Sequence, residues 1–219
     1  MIMQIRPFTF NDFQVNTYVV YDDTKECIII DPGMYYEEEK KEFTDFISAN
    51  GLKPVLVVNT HAHIDHIIGN KFVADKYQLK LAAHKESVEF LTHAKEYGMT
   101  FGIRLDEVKP IDIFLDEQTP LRFGKSSFEI LYTPGHADGS LCFYTKKNGF
   151  VITGDVLFYQ SIGRTDLPTG DSEVLKENIW SKLFTLPDDT VVYPGHGPQT
   201  TIGYEKMHNP FVATGTDFL

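Results

Sequence analysis

Short runs of branched and aromatic residues open the chain: IRPFTF, then VNTYVVYD, then CIIID closed by Pro32 and Gly33. Their length and composition predict three β-strands. The period then changes. Residues 36–49 (YEEEKKEFTDFISA) carry acid near their start, Phe43, Phe46 and Ile47 at helical spacing, and Gly51 beyond them as a stop, which predicts a helix. PVLVVN is a continuous apolar run, the pattern of a strand covered on both faces. Ile68, Phe72, Val73 and Tyr77 then recur at three to five residues, predicting an amphipathic helix, and LKLAAH reads as a strand.

Residues 84–97 read as helical, whereas 98–116 have no clean period although they contain Met99, Phe101, Ile103 and Leu105. Such a segment is either a lid or binding edge, or a loop packed on the surface. From LRFGKSSFEILY onward strands return: a hairpin around Gly124 to Ser127, SLCFYTKK, a tight turn at Asn148 and Gly149, and FVITGD. A helix at about 172–183, the strand TVVYPG and a short tail complete the pattern. Strands followed by helices in two halves predict two sheets packed face to face with helices outside, in one domain over 1–219. EILYTPGH and TVVYPGH repeat one local arrangement, an apolar strand, a Pro-Gly turn and a histidine.

Composition narrows the picture. With 42% hydrophobic and 23% charged residues the chain can bury a substantial core, which excludes disorder. A net charge of -11 and the lack of any Lys/Arg run argue against nucleic acid as a partner. The N-terminal MIMQIRPFTFNDF is not a secretion signal and no long apolar stretch follows, so a cytoplasmic protein without a membrane span is expected. Cys27 and Cys142 fall inside strand segments, where buried free thiols are expected rather than a disulfide.

The chemistry concentrates at strand ends. VVNTHAHIDH, ILYTPGH, VITGD and VVYPGH each place ligand-type side chains directly after an apolar strand. His61 and His63 alternate along an extended segment and would point to one side. Asp65 and His66 would follow from the first turn of a helix, and with His136, Asp155 and His196 they make seven candidate ligands. Asp65 as a helix cap and Asp155 as a turn residue are the structural alternatives for single positions, but they explain the joint pattern poorly. Imidazole and carboxylate without thiolate suit zinc, iron or manganese, with zinc the first expectation. Two such ions sharing a water would lower its pKa to about 7 and give a nucleophile for carbonyls and esters. Asp31, at the end of CIIID, either orients a ligand or caps a turn. His84, His93 and His208 lie outside this arrangement.

THAHIDH, TPGH, TGD and YPGHG, in this order, resemble the metallo-β-lactamase fold superfamily over nearly the whole chain. The resemblance implies an α/β fold of the αββα sandwich type. It also implies that His61, His63 and His136 hold one metal, that Asp65, His66 and His196 hold the other, and that Asp155 bridges, with Asp65 and Asp155 in catalytic roles. FYQSIGRTDLPTGD resembles a segment of small glyoxalase II-like hydrolases and of persulfide dioxygenases, and TIGYEKMHNPFV resembles the tail of the former. By that likeness Arg164 stands where glyoxalase II carries a glutathione-binding lysine and would hold a substrate carboxylate in a two-point contact, a salt bridge to Asp166 being the structural alternative. Full glyoxalase II enzymes continue into a helical domain with glutathione contacts and carry a tyrosine after the last histidine, where this chain has Pro198. The leading expectation is a thioester hydrolase acting on a small acyl-thiol. A mononuclear-iron persulfide dioxygenase and a non-catalytic metal-binding module are the alternatives, while a secreted β-lactamase and a ribonuclease fit the chain less well.

Overall fold

The computed structural model describes residues 2–213. In chain order the elements are β1 (Gln4–Phe10), β2 (Val15–Tyr21), β3 (Glu26–Ile30), α1 (Glu37–Ala49), β4 (Lys53–Val58), α2 (Ile64–Ile67), α3 (Asn70–Tyr77), β5 (Leu81–His84), α4 (Ser87–Thr100) and β6 (Ile113–Leu115). The second half adds β7 (Leu121–Phe123), β8 (Ser126–Tyr132), β9 (Leu141–Thr145), β10 (Phe150–Gly154), β11 (Leu157–Phe158), β12 (Ser161–Ile162), α5 (Ser172–Asn178), β13 (Val191–Pro194), β14 (Thr200–Thr201) and α6 (Ile202–His208). One sheet runs β1-β2-β3-β4-β5-β6 and the other β14-β13-β10-β9-β8-β7. Both are mixed: β3, β4, β5 and β6 pair in parallel after an antiparallel start, and β10 pairs in parallel with β13.

Because side chains alternate along a strand, each strand feeds two layers. Tyr18, Val20, Ile28 and Ile30 of the first sheet meet Phe128, Ile130, Phe143 and Ile152 of the second in the central core. The intervening Val19, Cys27 and Ile29 face outward against Phe43 and Ile47 of α1 and Val73 of α3. Cys142, Tyr144 and Val151 likewise turn outward against Leu175 of α5 and Ile202 of α6. The result is the expected αββα sandwich. Truncating Phe143, which is fully buried, to alanine would cost about 3–5 kcal/mol. Cys27 and Cys142 are both buried free thiols, and no helix is long and apolar enough to cross a membrane among the described residues.

Several boundaries differ from the sequence pattern. In β4 only Val57 and Val58 are buried, and Val55 is exposed, so this strand is covered on both faces at its end alone. The helix expected at 84–97 runs from Ser87 to Thr100, and His84 is instead the last residue of β5. Residues 98–116 divide: Met99 completes the helix, Ile103 and Leu105 pack on the outer core, and 113–115 pair with β5. The helix expected at 172–183 is two pieces, because Ile179–Leu183 widens into a π turn. The short tail holds a strand and a helix.

Candidate metal centre

Four strand ends deliver the site. After β4 the chain stays extended through His63, which precedes α2 with φ -64° and ψ 152°, so His61 and His63 enter from one segment. Asp65 and His66 come from the first turn of α2, and the helix is preceded by His63, which excludes Asp65 as its cap. His136 follows β8, Asp155 follows β10 and His196 follows β13. The two strand-Pro-Gly-His sentences therefore bring their histidines to the same edge.

Three groups form there, each with ligand atoms within 4.8 Å of one another: His61, His63 and His136; His61, His66 and Asp155; and Asp65, His66 and His196. Asp155 lies among them. Its Oδ1 is 3.3 Å from His66 Nε2, and its Oδ2 is 3.6 Å from His136 Nε2 and 3.5 Å from His196 Nε2. Asp65 Oδ2 is 3.0 Å from His196 Nε2. All seven residues that the sequence singled out are together.

The outer nitrogens of the rings fix which face each imidazole turns inward. His136 Nδ1 donates to the Arg164 carbonyl at 2.7 Å, and His196 Nδ1 donates to the Phe13 carbonyl at 3.0 Å. His66 Nδ1 meets Asp31 Oδ2 at 3.0 Å. The Thr60 hydroxyl donates to Asp31 Oδ2 at 2.6 Å, which leaves its oxygen to accept from His61 Nδ1 at 3.1 Å. With Nδ1 acting as donor, Nε2 presents its lone pair to the centre in each neutral ring. Asp31 thus orients two rings, one directly and one through Thr60.

Nε2 of His61, His66 and His136 and Oδ1 of Asp155 are buried with no hydrogen-bond partner. Buried polar atoms are normally satisfied, so four orphans converging on one point call for an electrophile between them. A divalent cation fits this donor set of nitrogens and carboxylate oxygens.

Electrostatics divide the cluster. Burial, reinforced by neighbouring imidazoles, holds His61 well below the usual histidine range and pushes His63 down to about 3. These rings are neutral, as ligands must be. Burial also opposes the charge on His66 and His196, but Asp155 and Asp65 outweigh it and raise both. Burial would raise Asp155, yet His66 and its neighbours hold it well below the carboxylate range.

Several supporting residues had no sequence signal. The Phe13 carbonyl is backbone, and Thr60 acquires its role only because β3 delivers Asp31 beside it. Asn16 Nδ2 donates to the Pro194 and Gly197 carbonyls at 3.0 and 2.9 Å, fixing the loop that bears His196. Two glycines were visible in the motifs but not their reason. A Cβ on Gly195 would lie 2.0 Å from Asp155 Oδ1, and one on Gly163 would lie 1.9 Å from the Asp155 carbonyl oxygen.

A cavity of about 360 Å³ opens above the cluster, walled by Phe13, Tyr97, Phe101, Phe158, Ile162 and Leu167 along with Arg164. Arg164 lines this cavity, and its Nε and Nη2 donate to Asp166 at 2.7 Å each, the salt bridge that was the structural alternative. Phe101 of the 98–116 segment lines the same cavity, meeting Phe13 at 5.9 Å between ring centroids, while Ile103 packs in the outer core. His84 is buried and stacked on Tyr132, and His93 and His208 lie on helices, none of them within the three groups.

Residues 10–196 match the family model of the metallo-beta-lactamase superfamily. The chain belongs to this superfamily. Over 96% of its length it is 38% identical to a probable metallo-hydrolase, YqgX, of Bacillus subtilis (strain 168), covering 98% of that protein. It is 36% identical to the hydroxyacylglutathione hydrolase GloC of Haemophilus influenzae, covering 97% of this chain and 98% of that one. Among solved structures, the BLEG-1 B3 metallo-beta-lactamase superposes with a TM-score of 0.88 at 36% identity, over 96% of this chain and 100% of that one. Membership makes the chain a metallo-hydrolase relative, with a His/Asp cluster that fits divalent metal binding.

Proposed function

We propose that this superfamily member is a dinuclear metal-dependent hydrolase of small acyl-thiol thioesters, of the glyoxalase II type, and that it works in the cytoplasm as one domain. The observation that carries the reading is the set of four buried, unpartnered atoms at the meeting point of seven ligand-type residues. In this reading His61, His63 and His136 hold one ion, Asp65, His66 and His196 hold the other, and Asp155 joins the two. Divalent ions held there, zinc first and iron or manganese as substitutes, supply Lewis acidity and a water acidified to a pKa of about 7.

The chain's own residues do the rest. Asp65 would orient the nucleophilic water and accept its proton, and Asp155 would hold the spacing between the two ligand sets. The aromatic wall of Phe13, Phe101 and Phe158 excludes bulk water, which strengthens every charge interaction at the centre. Arg164 contacts substrate as a guanidinium already held by Asp166. Its carbonyl keeps His136 in place.

The test is a thiol-release assay on the zinc-loaded protein with a panel of thioesters that includes S-lactoylglutathione. Release of free thiol by the wild type and its loss in Asp155→Asn is the expected result. No release from any thioester would overturn the reading.

A second reading, a mononuclear-iron persulfide dioxygenase, draws on one observation: His61 Nε2, His136 Nε2 and Asp155 Oδ1 are three of the four orphaned atoms. One iron per chain with oxygen consumption on a persulfide would select it. Two ions per chain with thioester hydrolysis select the first reading.

A further inference from the structure

Beside the cavity over the cluster lies a second one, of about 280 Å³, and the two share His63, Ile64 and Tyr97 as a common wall. One side is a single face of α4: Glu89, Phe90, His93, Ala94 and Tyr97 follow at helical spacing, with Glu86 just before the helix. The other side is made by Asp138, Pro168 and Thr169. The Asp138 N–H donates to the Thr169 hydroxyl at 3.0 Å, which ties the loop after His136 to the loop after Arg164. The Phe90 ring sits 5.4 Å from the His63 ring, so the floor of this cavity touches a candidate ligand directly.

The lining of the cavity is mostly apolar but includes three carboxylates. Glu86, Glu89 and Asp138 line it, and no lysine or arginine does. The one cationic candidate in the lining, His93, is already beside Glu89 at 3.1 Å. Glu86 Oε2 receives the Tyr132 hydroxyl at 2.5 Å and the Gly139 N–H at 3.1 Å and lies 3.3 Å from His84 Nδ1, which fixes the position of its carboxylate. The arginine of the neighbouring cavity is committed to Asp166 in a two-point pair. A substrate arm bearing carboxylates would meet these three carboxylates with no lysine or arginine in the lining of this second cavity to pair with it.

We propose that this second cavity is the subsite for the substrate arm beyond the thioester sulfur, and that it takes an apolar arm ending in an amine rather than a carboxylate-bearing arm such as glutathione. The inference rests on the thioesterase reading of the adjoining site. It names the leaving thiol as the feature that separates this chain from a glutathione enzyme. An alkyl arm fills the space between Phe90, Ala94 and Tyr97, and the ammonium group reaches Asp138 and Glu86.

Calorimetric titration of the zinc-loaded protein with three non-hydrolysable thioethers of equal alkyl length tests it: S-hexylcysteamine, its N-acetyl derivative and S-hexylglutathione. The amine should bind at least about tenfold more tightly than the glutathione derivative, with the neutral probe between. Asp138→Asn, and Glu89→Gln on the exposed helix face, should each narrow that ratio. Equal or tighter binding of S-hexylglutathione, a ratio unchanged in both variants, or no binding of any probe would overturn the inference. Because the probes are not turned over, this outcome is separate from thiol release, whose absence would sink the thioesterase reading instead.

Discussion

Two buried aspartates close opposite ends of the same strand pair. Asp22 follows β2 and Asp31 follows β3, and since these strands are antiparallel the two carboxylates sit at opposite edges of the first sheet. Their burial is nearly equal, at 2% and 1% exposed. Asp22 accepts from the Thr24 N–H and hydroxyl, the Lys125 N–H and the Ser126 hydroxyl, so it ties the first sheet to the hairpin of the second and leaves nothing unsatisfied. Asp31 accepts from the Thr60 N–H and hydroxyl, from Asn59 and from His66. One of its donors, His66, is a candidate ligand and another, Thr60, meets His61, and the inner nitrogens of both rings have no partner. The same residue type at the same depth is therefore a clasp at one end and a ligand mount at the other. What differs is the polar inventory left over beyond it.

The largest effect expected from this contrast is at the orphaned end. Asp155→Asn should lower thiol release by about 10²- to 10³-fold, because it removes the carboxylate shared by both ligand sets. Activity within a fewfold of wild type would break the assignment. Asp31→Asn should act more mildly and through metal affinity, weakening it by about 10- to 100-fold with the fold retained, as loss of a ligand's orienting partner does. A chelator competition measures this. Asp22→Asn should reverse the pattern, with about 1–3 kcal/mol of stability lost in urea unfolding and metal affinity unchanged. A shift in metal affinity as large as that of Asp31→Asn would erase the distinction.

The smallest effect is in pH. Burial pushes the Asp22 carboxyl up, but hydrogen bonds from Thr24, Lys125 and Ser126 outweigh it and bring it from 3.8 to about 2. Since the folded value is the lower one, the unfolded chain binds more protons in between. The stabilisation is complete above about pH 4 and is lost as pH falls toward about 2. Acid unfolding followed by circular dichroism should be shallower over that interval in Asp22→Asn than in the wild type, and equal slopes would count against the clasp.

The site was more legible than the elements that carry it. Seven candidate ligands could be read from four strand-end motifs because strand ends on one edge converge. Asp31 could be seen as a candidate, but Thr60 could not, since its role depends on β3 and β4 lying side by side. His84 falls in both LKLAAH and the helical segment 84–97 of the sequence, and the structure places it at the end of β5 as the strand reading has it. The π turn at Ile179–Leu183 had no local signature, and neither did the Phe13 carbonyl that holds His196, because backbone acceptors are the same for every residue. The acidic lining beside His63 joins residues 86, 89 and 138, which only folding brings together.

In the proposed reading, the unpartnered atoms at the Asp31 end are metal ligands. Anomalous diffraction at the zinc edge from crystals of the zinc-loaded protein tests it most directly. Two peaks should lie at about 2.0–2.2 Å from the His61, His63 and His136 nitrogens and from the Asp65, His66 and His196 donors, with Asp155 touching both. Peaks confined to other histidines, or none at the meeting point of these seven residues, would contradict it.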